Sequence, residues 1–71
     1  MPLDRHASLC LEIAVDPARA AEALARHQVS AAEKQRADEH YRARMSADPE
    51  LCARWNRAYE EAYHAWYKSR P

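Results

Sequence analysis

Glycine, threonine and phenylalanine are all absent from this chain, and only Ile13, Val15 and Val29 are β-branched. Strands draw on β-branched and aromatic residues, whereas Ala, Leu, Arg, Glu, Lys and Gln favour helix. An all-α fold is therefore expected. The missing glycine also removes the phosphate loop, the oxyanion turn and the dinucleotide fingerprint, each of which needs its backbone freedom.

Local signals divide the chain into four helices, expected at about 4–15, 17–28, 31–46 and 49–69. Asp16-Pro17 and Asp48-Pro49 each place an N-cap residue before a proline, whose fixed φ suits the first helical position. Ser30 and Glu33 in "SAAE" form a capping box. Asp4 is a candidate cap for the first helix. A residue preceding proline is driven out of the αR region, so the helices before Asp16 and Asp48 should stop there. "AVDPARAAEAL" and "SADPELCARWN" share this Asp-Pro start and little else, which reflects a reused cap and not a tandem repeat.

At 100° per residue the helices differ in character. The first is apolar around most of its circumference, with Leu9 and Ile13 on one side and Ala7, Leu11 and Ala14 on another, so it should be packed on two sides. The second carries a stripe of Ala21, Leu24 and Ala25. The third is mostly charged, with a narrow line of Ala37, Tyr41 and Met45 and internal pairs Lys34–Asp38 and Asp38–Arg42 at helical spacing.

Five of the six aromatic residues fall in the last helix: Trp55, Tyr59, Tyr63, Trp66 and Tyr67. Leu51, Trp55, Tyr59, Ala62 and Trp66 define one face at helical spacing. Cys52, Tyr63 and Tyr67 widen it on one side, beyond the stripe of roughly 100° that an ordinary surface helix needs. Trp55, Tyr59 and Trp66 are read as core anchors, with three short helices packed on a long C-terminal one. Tyr63 and Tyr67, with the neighbouring Asn56, exceed what one small core requires and are read as a surface for a protein partner or a second copy.

A chain of 71 residues makes one domain. Its 48% apolar content overstates the core, because 16 of those residues are alanine. A core this small supplies about 3–5 kcal/mol at most, so the domain should be marginal alone or self-associating. Eleven basic residues balance eleven acidic ones, which argues against nucleic-acid binding, where phosphate neutralisation supplies much of the affinity. Two cysteines are too few for a disulfide-built secreted mini-protein. The start "MPLDRHASLC" lacks signal-peptide character, and no apolar run nears the ~20 residues that cross a bilayer. A cytoplasmic setting is expected.

Candidate chemistry is sparse. Glu60 and His64 are spaced i, i+4 as two metal ligands can be, but that is also an ordinary helix pair, and no metal or other cofactor is expected. His6 lies one turn before Cys10, a spacing that suits an activated thiol or, on an apolar helix, a structural cysteine beside a satisfied histidine. The second reading is preferred, and no enzymatic activity is expected. Arg42, Arg44, Arg54 and Arg57 bracket the third turn and form a candidate basic patch near Trp55. Asp48 and Glu50 lie among them and offset their charge.

The segments "ASLCLEIA", "PARAAEALARH" and "YRARMSADPEL" and the closing aromatics together resemble small helical units of uncharacterised bacterial proteins, some associated with type VI secretion. The resemblance spans nearly the whole chain and implies an accessory or adaptor protein that binds other proteins, with no catalytic residue carried over. An immunity protein or phage-type inhibitor is the alternative within that class. A nucleic-acid-associated helical protein using the four arginines is the alternative outside it.

Overall fold

The computed structural model describes residues 1–69 and consists of α1 (Leu3–Val15), a 3-10 turn (Pro17–Arg19), α2 (Ala20–Arg26), α3 (Ala31–Ala47) and α4 (Pro49–Lys68). The described residues contain no strand. The most extensive packing joins α1 to α4. The long helix also carries α3, while the 3-10 turn and α2 lie chiefly against the other side of α1. The first helix is thus clasped from two sides, as its broad apolar surface requires.

The molecule measures 38 × 27 × 16 Å. In a domain this small few side chains have protein on every side. The buried apolar residues are Ala7, Leu9, Leu11, Ala23, Tyr41 and Leu51. Leu9 and Leu11, both on α1, are the largest side chains sealed completely. The rings of Trp55, Tyr59 and Trp66 are half-buried, so α4 covers the core more than it fills it.

The capping signals are met unequally. Ser30 accepts from the Glu33 N–H at 3.1 Å and the Glu33 carboxylate accepts from the Ser30 N–H at 3.3 Å, which completes the box. The Asp48 carboxylate accepts from the N–H groups of Glu50 and Leu51, both at 3.1 Å. Asp16 makes no such bond. Its carboxylate is drawn instead to the Arg19 guanidinium at 3.5 Å, and its N–H still donates to the Glu12 carbonyl at the end of α1. With its orphan donors uncapped, the segment after Pro17 begins as a 3-10 turn, and regular helix starts only at Ala20. Asp4 lies within the first turn of α1, and Pro2 occupies the cap position.

The short α2 presents Ala23 to the core and leaves Ala21 and Ala25 exposed, which shifts the expected stripe around the helix. The tethering contacts explain this rotation. Glu12 on α1 accepts from His27 Nε2 at 2.5 Å and from Arg26 at 3.1 Å, and the Arg5 guanidinium donates to the His27 carbonyl. Lys and Arg groups at a helix C-terminus satisfy the free carbonyls there.

The turn after α2 shows the cost of a glycine-free sequence. Gln28 adopts φ 56°, in the left-handed region, with Val29 N–H bonded to the Leu24 carbonyl and Gln28 N–H to the Ala25 carbonyl. This is the Schellman pattern, whose left-handed position is normally glycine. A non-glycine residue there loses on the order of 1 kcal/mol. Gln28→Gly should therefore stabilise the domain by about 0.5–1 kcal/mol, after allowing for the greater freedom of glycine in the unfolded chain. For a domain this small the midpoint of a thermal melt should rise by about 2–8 °C. A lower midpoint would contradict the strain assigned to this position.

Candidate functional site

The chemistry-bearing side chains converge where α1, α3 and α4 meet. His6 is the centre, at 3% exposure. The residue is carried on the packed side of α1, beside Ala7 and Leu9, so its imidazole enters the core with its two nitrogens needing partners. Both find one. Trp55 Nε1–H on α4 donates to His6 Nδ1 at 3.0 Å, and His6 Nε2 lies 2.8 Å from Asp38 Oδ1 on α3. The ring also stacks on Tyr41, with centroids 4.7 Å apart and planes 25° from parallel. Tyr41 in turn donates its hydroxyl proton to the Met1 carbonyl.

These partners set the proton position. Trp55 has only a donor to offer, so Nδ1 must accept, and the imidazole proton resides on Nε2, directed at the Asp38 carboxylate. Asp38 also accepts from Lys34 Nζ at 2.8 and 3.0 Å. Burial works to raise the Asp38 carboxyl, but the hydrogen bonds from Lys34 and His6 outweigh it and hold the group below its ordinary value. The carboxylate is therefore a stable acceptor at neutral pH. The Asp38–Arg42 pair expected from helical spacing yields to this arrangement, in which Asp38 turns inward toward α1.

Cys10 lies one turn along α1, its Sγ 3.7 Å from His6 Nε2 and 4.0 Å from Asp38 Oδ1. Burial pushes its thiol above the ordinary value, with Lys34 working against that rise and Asp38 adding to it. A nucleophilic cysteine needs a histidine lone pair toward sulfur and an orienting acid on the opposite ring nitrogen. Here Cys10 and Asp38 share one nitrogen, and the nearer carboxylate takes its only proton. Geometry thus unites the His6–Cys10 pair noted in the sequence but holds the thiol protonated.

The same three residues form a possible metal-ligand set, with one donor atom each and all within 4.8 Å of one another. Their surroundings have the wrong polarity for that role. A ligating imidazole offers its lone pair to the metal and donates its other N–H to an acceptor. His6 instead meets a donor at that second nitrogen, and the Lys34 ammonium already spans both Asp38 oxygens. The cluster is built as a hydrogen-bonded brace across three helices. Beside it runs an open groove of about 580 Å³ that Cys10, Lys34, Arg42, Met45 and Cys52 help to line, so the two free cysteines border one cleft.

The sequence-predicted binding residues lie elsewhere. Tyr63 and Tyr67 are 44% and 61% exposed and stack on each other at 6.4 Å, while Tyr63 also meets the half-buried Trp66 at 5.9 Å. Asn56 is exposed two turns before Tyr63, its amide 3.8 Å from Cys52 Sγ. Arg42, Arg44, Arg54 and Arg57 are all exposed, with Arg42 on the groove and Arg54 and Arg57 on the outer side of α4. Glu60 and His64 are also exposed, and the His64 ring stands edge-on to Tyr63. No described helix is long and apolar enough to cross a membrane. Neither protein-family models, nor curated proteins, nor solved structures yield a match to this chain.

Proposed function

We propose that this chain is a small helical protein-binding module, an accessory or adaptor protein of the kind its bacterial resemblance implies, that docks through the last turns of α4. The observation that carries this reading is the exposed Tyr63–Tyr67 stack. Two large rings stand in solvent on a rigid helix whose other aromatic residues are already engaged with the fold. A tyrosine offers a broad apolar face and a polar tip at small entropic cost, which is why such residues are enriched at interfaces and among their energetic hot spots. Asn56 and the charged residues around the stack supply a polar rim. A cytoplasmic setting accords with the two unpaired thiols.

Affinity capture with the wild-type chain and with the Tyr63→Ala/Tyr67→Ala double variant tests the proposal. The double variant should lose at least about ten-fold in affinity for whatever protein or copy the wild type binds, as befits two anchor side chains. Its thermal midpoint should stay within a few degrees of wild type, because exposed substitutions change stability by about 0.5 kcal/mol or less. Collapse of the fold in that variant would place both rings in the core and remove the proposal's basis. Unchanged capture would do the same.

A further inference from the structure

We propose that residues 17–29, the 3-10 turn with α2 and the turn that follows, form a lid that swings off α1 as a unit while α1, α3 and α4 stay packed. Its opening uncovers the Leu9 face of α1.

Arg5, Leu9 and Glu12 follow at spacings of four and three and share one face of α1. The outer two hold α2 in place. The Arg5 guanidinium donates to the His27 carbonyl, and the Glu12 carboxylate accepts from His27 Nε2 and from Arg26. Leu9, at 0% exposure, therefore lies on the side of α1 that α2 covers.

Little apolar surface holds the lid down. Of its side chains only Ala23 is buried. The tethers to Glu12 and Arg5 are polar and partly solvent-exposed, so water replaces them at small net cost. Both ends of the segment are weak as well. Asp16 provides no side-chain cap, and Gln28 sits in the left-handed region at φ 56°, a strain that opening relieves.

The rest of the fold does not depend on the lid. The partners of His6 in the brace, Trp55, Asp38 and Tyr41, all lie on α3 and α4. The Ser30–Glu33 box fixes the start of α3 separately. The thirteen residues of the lid reach about 40 Å when extended, comparable to the 38 Å length of the molecule, so the segment can clear α1 with both ends anchored. Opening exposes Leu9 and Ala23, a smaller loss than parting α1 from α4, which make the most extensive contact. The lid is the first part of the native fold to let go.

Native-state hydrogen exchange of the full chain, followed by NMR, reads the opening. The amides of His27, Gln28 and Val29, all bonded inside the lid, should exchange at least about ten-fold faster than the slowest amides of α1 and α4. Low concentrations of urea should accelerate the α1 and α4 amides steeply and these three only slightly, because lid opening exposes little surface. Asp48→Ala removes the cap of α4 and should speed the α1 and α4 amides about five-fold. The three lid amides should not respond, since α4 stays folded when the lid opens. Glu12→Ala should speed lid, α1 and α4 amides alike by about three- to five-fold, because it weakens the closed state from which every opening starts. Lid amides that keep pace with α1 and α4 in urea, or that quicken equally with Asp48→Ala, mean that the segment leaves only when the whole domain unfolds, and overturn the proposal. The urea series needs the wild-type chain alone and decides the matter if Asp48→Ala does not fold. Lid amides indifferent to Glu12→Ala overturn the part given to Glu12.

Discussion

His6→Ala should leave the chain without a cooperative thermal transition at 25 °C. The substitution removes a ring packed on Tyr41, takes the His6 acceptor from the Trp55 indole N–H, and strips one donor from Asp38. Deleting a buried ring costs about 3–5 kcal/mol through lost transfer energy and the cavity left behind. A part-buried donor left without its acceptor adds to this, up to about 1 kcal/mol. A domain of this size holds about 3–5 kcal/mol in all, so the loss matches or exceeds what is available. His6→Gln separates packing from hydrogen bonding, because its amide offers an oxygen to Trp55 and an N–H to Asp38. That variant should keep a cooperative melt at a reduced midpoint. If His6→Ala melts like wild type, the imidazole is not the brace described above.

The second large effect is expected at Leu9. Its side chain is fully sealed between α1's neighbours at 0% exposure, in a molecule with few such positions. Leu9→Ala should cost about 3–5 kcal/mol, the upper range for a leucine whose surroundings cannot collapse into the space. Leu24 on α2 provides the contrast. It is half-buried, and its replacement by alanine should cost only about 1–2 kcal/mol. Urea titration followed at 222 nm measures both. Equal losses at the two sites would mean that the core is not centred on α1.

Much of the scaffold was readable because its signals are local. The Ser30–Glu33 box, the Asp48 cap and the unbroken α4 are decided by residues within one turn of each other, and local geometry honours them. The two Asp-Pro starts show where such reading fails. Asp16 and Asp48 precede the same residue, yet Arg19 draws the first carboxylate away while Asp48 keeps its own for the helix. The face of α2 was misplaced for a related reason: Glu12, a residue of another helix, holds Arg26 and His27 and so rotates α2 until Ala23 points inward.

The exposed Tyr63 and Tyr67 were legible from the width of the apolar sector. The brace was not. His6 and Cys10 are visible as neighbours at i, i+4, but Asp38 looks like an ordinary surface partner of Lys34 on a charged helix. Trp55 looks like a simple core ring. Only the packing of α1 against both other helices brings an indole N–H to one side of the imidazole and a carboxylate to the other. A lone histidine on a mostly apolar helix was the available clue, since a buried imidazole must find two partners somewhere.

The bond from Trp55 to His6 spans 49 positions of the chain. Trp55 is synthesised long after His6, so the latch cannot close until that later stretch of chain exists. Until then the imidazole lacks its Trp55 partner and α1 lacks the helix against which it packs most extensively. Helical segments form within microseconds, but completing distant contacts carries the loop-closure cost of the intervening length. The growing chain therefore passes through a stage in which α1 lacks its broadest cover, and that interval ends only when α4 joins it.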